Sequence, residues 1–248
     1  MTDDIRIVRT IVEREFRAYF ATPLAAIFLL VFLALSTGLA FFATGFFDRG
    51  QADLASFFTW HPWLFMVLMP AIGMRLWAEE RRSGTIELLM TLPVRIWQLV
   101  VGKFLAGWAF VGVALLLTTP MWLTVNYLGS PDNGVIFASY LGSWLMAGAF
   151  LALASCISAL TTNQVIAFII AAIAGFLLVM AGFDLVLASV RGWAPGFLIE
   201  IVQSLSFISH FSRLTEGVIE LSTIVFFSSM IAVALWINIQ IVDLEKSS

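Results

Sequence analysis

Residues 24–46 read LAAIFLLVFLALSTGLAFFATGF, a run with no charged side chain and only Ser36, Thr37 and Thr44 as polar ones. A helix crosses the roughly 30 Å hydrocarbon core of a bilayer with about 20 apolar residues, so this stretch predicts a transmembrane helix. Working outward, five further apolar runs suit the same role: 62–77, 99–125, 135–160, 165–187 and 221–242. The run at 62–77 is short and holds Pro70, which removes one backbone hydrogen bond and predicts a kink. Thr161, Thr162, Asn163 and Gln164 form a tight polar hairpin between the fourth and fifth runs. The expected fold is an all-α integral membrane protein of six transmembrane helices, a single transmembrane domain over 1–248.

Composition agrees. The chain is 61% hydrophobic and 12% charged, with a mean hydropathy of +0.99. Soluble domains carry about 25% charged residues, and a water-soluble fold of this size could not hide so much apolar surface. The 23 Phe and 9 Trp suit helices in lipid with aromatic belts at the interfaces. A net charge of −3 gives no reason to expect a nucleic-acid partner. Cys156 stands alone, so it makes no internal disulfide and no metal-site spacing. It reads as a small packing residue. The first 22 residues contain Asp3, Asp4, Glu13 and Glu15, so no cleavable signal peptide is expected and the first apolar run stays as an anchor.

Orientation follows from the basic residues. Arg6, Arg9, Arg14, Arg17, Arg75, Arg81, Arg82, Arg95, Lys103 and Lys246 fall on one side of six alternating spans. Arg49, Arg191 and Arg213 fall on the other, together with Asp48, Asp53, Asp132, Asp184, Glu200, Glu216 and Glu220. Both termini are therefore expected in the cytoplasm. Ahead of the first span, Ile5, Val8, Val12, Phe16 and Tyr19 recur every three or four residues, with Arg6, Glu13, Arg14 and Arg17 mostly opposite. This pattern, within 1–22, predicts an amphipathic helix lying in the membrane interface.

Two connections carry information. In the cytoplasmic loop 78–98, Ser83, Gly84 and Thr85 mark a helix start, and Glu87 sits where its charge meets the positive helix end. Ile86, Leu89, Met90 and Leu92 supply an apolar face and Pro93 ends the segment. A helix of about two turns is not stable alone; its face must dock on this chain's own helices or on a partner, and the pattern leaves both open. The external connection 188–220 is too apolar for an exposed loop, with Trp193, Phe197, Ile201, Phe207 and Phe211. It predicts short re-entrant helices starting near Pro195 and breaking between Ser204 and Ser209, packed on the chain's own bundle or on a second copy.

Catalytic chemistry is not evident. Gly102-Lys103 is followed by Phe104, so no phosphate-cradling loop forms, and HExxH, CxxC and GxSxG do not occur. His61 and His210 are far apart and fall short of the three protein ligands of a catalytic zinc site. Asp184 lies near the outer end of a span, where reaching water is easier than serving an ion path. Ser36, Thr37, Thr118, Thr119, Ser139, Ser143, Ser155 and Ser158 are scattered within spans and read as interhelical hydrogen bonds rather than a substrate route.

The run PWLFMVLMPAIGMRLWAEERRSGTIELLMTLPVRIWQLVVGKFLAG, 62–107, resembles the permease subunits of ABC-2 type transporters and is closest to their gliding-motility (GldF-like) group. The shared elements are P-A-x-x-M-R from Pro70, A-E-E-R-x-x-G-T-x-E-L-L-x-T-x-P from Ala78, and V-x-G-K-F from Val100. The run SLSFISHFSRLTEGVIELSTIVFF, 204–227, is also similar. The resemblance implies that the helix after the second span is a coupling helix seated in a groove of a separate cytoplasmic ATPase. Gly84, Thr85, Ile86, Glu87, Leu88, Leu89, Leu92 and Pro93 would make the contact, flanked by Glu79, Glu80, Arg81 and Arg82. It implies two permeases, as a homodimer or a pair of paralogues, working with two ATPase subunits in a bacterial cytoplasmic membrane. ATP and magnesium would sit on the ATPase, with no cofactor and no catalytic residue on this chain. Export of a substrate is the function so implied. A mechanotransmission subunit moving an extracytoplasmic protein, a self-contained secondary transporter and a membrane scaffold are the competing readings.

Overall fold

A computed structural model of the chain describes residues 2–91, 93–183, 186, 188, 195–218 and 220–246. Among these residues every regular element is a helix. In chain order they are α1 (Thr2–Phe20), α2 (Pro23–Gly38) with a π turn at Leu39–Ala43, α3 (Ala55–Phe58), α4 (His61–Gly73), α5 (Arg75–Ser83), α6 (Thr85–Thr91) and α7 (Ile96–Leu116). There follow α8 (Thr119–Leu128), α9 (Asn133–Ser158), α10 (Gln164–Met180), α11 (Gly196–Ser204), α12 (Phe207–Thr215) and α13 (Leu221–Lys246).

Five helical runs are long and apolar enough to cross a membrane: Pro23–Ala43, Ala55–Ser83, Ile96–Leu128, Asn133–Ser158 and Leu221–Leu244. The fifth expected span, 165–187, coincides with α10, a shorter apolar helix of 17 residues. Asp184 and most of the following stretch, including Arg191 and Trp193, lie outside the described residues.

Helix ends follow local chemistry. Asp132 caps α9 by accepting from the backbone N–H of Gly134 and Val135 at 2.9 and 3.3 Å. Asn163 does the same for Val165 and Ile166, so the polar hairpin before α10 is as expected. The third run, expected to be continuous over 99–125, breaks between α7 and α8. Pro120 stands in the first turn of α8 and has no N–H for the preceding turn, while the Thr118 hydroxyl donates to the Leu115 carbonyl at 2.6 Å. Ile96–Leu128 is 33 residues, about 50 Å at 1.5 Å per residue, well over the bilayer core.

α9 is the axis of the bundle, packing against α4, α7, α10, α12 and α13. Ala147, Ala149, Leu151 and Ala152 are wholly buried, and small residues let neighbours come close. A Cβ on Gly73 would stand 2.4 Å from that of Ala154, and one on Gly148 would stand 2.7 Å from Nε1 of Trp108. Trp108 and Trp144 stack at 4.1 Å, and each indole donates to the other's backbone carbonyl, at 2.8 and 3.2 Å.

The connection between the fifth and sixth expected spans contains two short helices, parting at Leu205 and Ser206, within the stretch where the sequence predicts a break. α12 is seated on this chain's own bundle. Phe207 is fully buried, its ring in contact with Phe150, Phe226 and Phe227, and Leu214 closes on Gly142. Arg213 pairs with Glu220 at 2.6 Å; this bond and that from Ser222 hold the Glu220 carboxyl below the usual carboxylate range. Asp53, Asp132 and Thr215 line one cavity at this end of the bundle. The cluster of Arg75, Glu80 and Lys103 lies at the opposite end, around another.

Candidate functional site

The site is an arm at the end of the second span, formed by α5 and α6, with α1 and α7 beside it. The sequence placed residues 78–98 in a loop, yet helix continues to Ser83. Ion pairing explains this: Arg75 grips Glu79 through two bonds, Nε to Oε2 at 2.7 Å and Nη2 to Oε1 at 3.0 Å, one turn apart. Gly84 then ends α5 in the left-handed conformation, φ +71° and ψ +4°, the usual use of glycine just past a helix. α6 covers Thr85–Thr91 with Glu87 in its first turn, and Pro93 follows it.

The candidate contact residues divide into two groups. Thr85, Glu87 and Pro93 are exposed, as are Gly84 and Arg82. Leu89 is buried and Ile86 packs against the core. Part of the apolar face of α6 is thus covered by its own bundle, which leaves a polar, solvent-facing side. The Leu88 side chain and the whole of Leu92 lie outside what is described. Glu79 and Glu80 are both engaged within the chain, Glu79 by Arg75 and Glu80 by Lys103.

Lys103 ties three helices together. Its ammonium lies 2.6 Å from Oε1 of Glu80 on α5 and 3.5 Å from Oε1 of Glu15 on α1, and 5.5 Å from the centre of the Trp77 ring. Its side chain is 3% exposed. A buried lysine needs such partners, because an unpaired charge is costly away from water. Two carboxylates face it, and Oε2 of Glu80 is buried without a hydrogen bond among the described residues. Next to this cluster is a cavity of about 220 Å³, lined by Tyr19, Arg75 and Glu79 as well as the ion pair. Desolvation raises the Tyr19 phenol above its ordinary range, and Glu15 adds to the effect.

α1 runs lengthwise beside α7, from Gln98 to Phe110. Asp4 accepts from Nε2 of Gln98 at 2.8 Å, Ile11 fits over Gly102, where a Cβ would come within 2.6 Å, and Tyr19 stacks on Phe110 at 5.1 Å. Gln98 also accepts the N–H of Arg95 at 2.8 Å, fixing the turn through which α6 leads into α7. The expected helix is present, but the side that meets α7 carries Ile11 and Tyr19, while Ile5 of the expected apolar face is 65% exposed.

The other candidates are structural in form. His61 is fully buried, its Nδ1 3.0 Å from the Ser143 hydroxyl and its ring between Phe57, Phe58 and Phe65. His210 stacks on Phe226 at 4.0 Å. Among the described residues no three His, Cys, Asp or Glu side chains are placed to hold a metal. Ser36, Thr37 and Ser139 bond to carbonyls of their own helices. Ser155 and Ser158 bridge between helices: Ser155 accepts from Nδ2 of Asn238 at 2.8 Å, and Ser158 meets the α4–α5 junction. Sequence reasoning singled out neither Lys103 with Glu15 nor Asn238 as a functional group. A lysine or asparagine inside an apolar run is the signal that could have found them.

Residues 57–242 match the family described as ABC-2 family transporter protein. No curated protein sequence matches the chain.

Proposed function

Because the chain belongs to the ABC-2 transporter family, a family of membrane subunits that typically lack catalytic activity and work with an ABC ATPase, we propose that it is the permease of an ATP-driven export complex in a bacterial cytoplasmic membrane. In this reading six helices cross the bilayer, both termini and the α5–α6 arm are cytoplasmic, and α6 is the coupling helix. Two permeases join two ATPase subunits, which hold the ATP and magnesium.

The observation that carries this reading is the form of the arm. α6 is fixed on its bundle side by Ile86 and Leu89 and offers Gly84, Thr85, Glu87 and Pro93 outward. Closure of the ATPase dimer on ATP would push on α6. α5 is bound by Lys103 to α1 and α7, so the push reaches the bundle. ATP can shift the permease between inward- and outward-facing states only by its different affinity for them, and that difference arises on the ATPase.

The mechanotransmission reading of the same arm finds support in the buried hydroxyls. Those of Ser36, Thr118, Ser139, Ser143, Ser155 and Ser158 are engaged in bonds within the chain, as expected of helix-packing contacts rather than a substrate route, while Ser56 and Thr223 are buried without a bond among the described residues. The resemblance to motility-type permeases belongs with this alternative.

The test is co-purification of the tagged chain from native membranes in mild detergent. An ATPase is expected at equal stoichiometry, and Glu87→Ala is expected to weaken its retention while membrane insertion is unchanged. Retention and ATP hydrolysis equal to wild type in the variant would remove α6 from the contact. A chain that purifies alone would overturn the export-complex reading.

A further inference from the structure

The α4–α5 junction holds a feature that the coupling reading does not use. α4 ends at Gly73 and α5 starts at Arg75, with no side chain of its own capping the new helix at Met74. The Ser158 hydroxyl, from the last turn of α9, is wedged into the gap. It donates to the Met74 carbonyl at 2.8 Å and accepts from the backbone N–H of Ala78 at 3.0 Å and of Trp77 at 3.2 Å. In an unbroken helix the Ala78 N–H and the Met74 carbonyl would bond to each other. A side chain inserted between such a pair is one of the few causes of a sharp kink, and Pro70 one turn earlier weakens the same stretch.

The hydroxyl's bonding capacity is filled, one donor and two acceptor positions, and Ser158 is completely buried. One turn along α9, Ala154 meets the end of α4 so closely that only glycine fits at Gly73. The junction is therefore pinned to α9 at two successive turns. On the same stretch of α9, Ser155 holds the buried Asn238 of α13.

From this geometry we infer that Ser158 is the positioning residue that sets the direction of the α5–α6 arm and transmits its movement to α9, from which Ser155 and Asn238 pass it to α13. The second part of this role rests on the coupling reading of α6; the first does not. Removing the hydroxyl lets the Ala78 N–H close directly on Met74, and the arm swings. A 20° change over the nine residues of α5 moves its tip by about 5 Å.

The experiment compares Ser158→Val with Ser158→Thr, which match in shape and differ in the hydroxyl, with Ser158→Ala as the variant of least steric cost. Cys156 is replaced by Ala, and spin labels are attached at Arg82→Cys with Thr162→Cys, or at Tyr127→Cys with Val218→Cys at the far end. All four label sites are exposed. In lipid nanodiscs without ATPase, the Arg82–Thr162 distance is expected to shift by several ångströms in the Val and Ala variants and to stay put in Thr. In the full complex, the ATP-driven change at the far pair is expected to fall about fivefold or more in Val and Ala, a modest coupling loss, and to persist in Thr. Distances that are the same in Val, Ala and Thr would overturn the positioning role. A shift of the arm without loss at the far pair would overturn the transmission role. A wild-type chain that brings no ATPase would overturn the coupling reading and transmission with it, while the ATPase-free distances still decide whether Ser158 sets the arm.

Discussion

At Gly84 the backbone turns left-handed, and nothing stands within 4 Å of where a Cβ would be. Substitution there meets no clash, only the conformational cost of about 1 kcal/mol for a side chain in that region. Gly84→Ala is expected to leave insertion and thermal unfolding of the bundle nearly unchanged while loosening the angle between α5 and α6. Retention of the ATPase should drop severalfold, which quantitative co-purification reads. Gly73 is the opposite case, with Ala154 pressed against it. Gly73→Val must push α4 from α9, and overpacking of this kind costs about 1–3 kcal/mol. A lowered midpoint of thermal unfolding in detergent is the expected result; an unchanged midpoint would show that the α4–α9 contact gives way easily.

Among the elements, α1 is held by apolar and ionic contacts together. Its hold on α7 combines the Ile11–Gly102 contact and the Tyr19–Phe110 stack with the ion pairs of Lys103. Lys103→Met would leave two carboxylates facing each other with their shared cation gone. Breaking a buried pair on one side costs about 3–5 kcal/mol. The lower end applies here, because Glu15 and Glu80 are still 18% and 19% exposed. Backbone hydrogen exchange in α1 and α5 should speed up, and adding Glu80→Gln to Lys103→Met should reverse much of it. Fast exchange confined to α7, or no change at all, would show that α1 is held by its apolar contacts alone.

For the whole molecule, the charge distribution predicts orientation. The arm end carries Arg75, Arg81, Arg82 and Lys103, whereas Asp53 and Asp132 line the cavity at the other. A positive end retained in the cytoplasm means that Tyr127→Cys, at a site 92% exposed, should react with an impermeant maleimide added to intact cells, in a Cys156→Ala background. Arg82→Cys should react only after the membrane is opened. The reverse pattern would invert the topology and remove α6 from reach of any cytoplasmic ATPase.

The apolar runs by themselves determined where helices form, because a bilayer leaves a backbone no other way to satisfy its hydrogen bonds than within the helix. Residues 24–46, 135–160 and 221–242, and 99–125 apart from its break before Pro120, needed no tertiary information to be read as mainly helical, and the polar hairpin at 161–164 was legible too, whereas the caps at Asp132 and Asn163 were seen only in the structure. The two-turn helix before Pro93 and the break near Ser206 were legible for the same reason, since proline and serine act on the local backbone. Only the tertiary structure decided what those helices hold on to. Lys103 lies 23 residues from Glu80, and Ser158 lies 84 from Met74. Nothing local marks either pair, and each is formed because close helix packing brings a buried polar group to partners that offset its desolvation. The break between α4 and α5 is the clearest instance: Pro70 weakens the helix from within, and the hydroxyl that opens it comes from another helix.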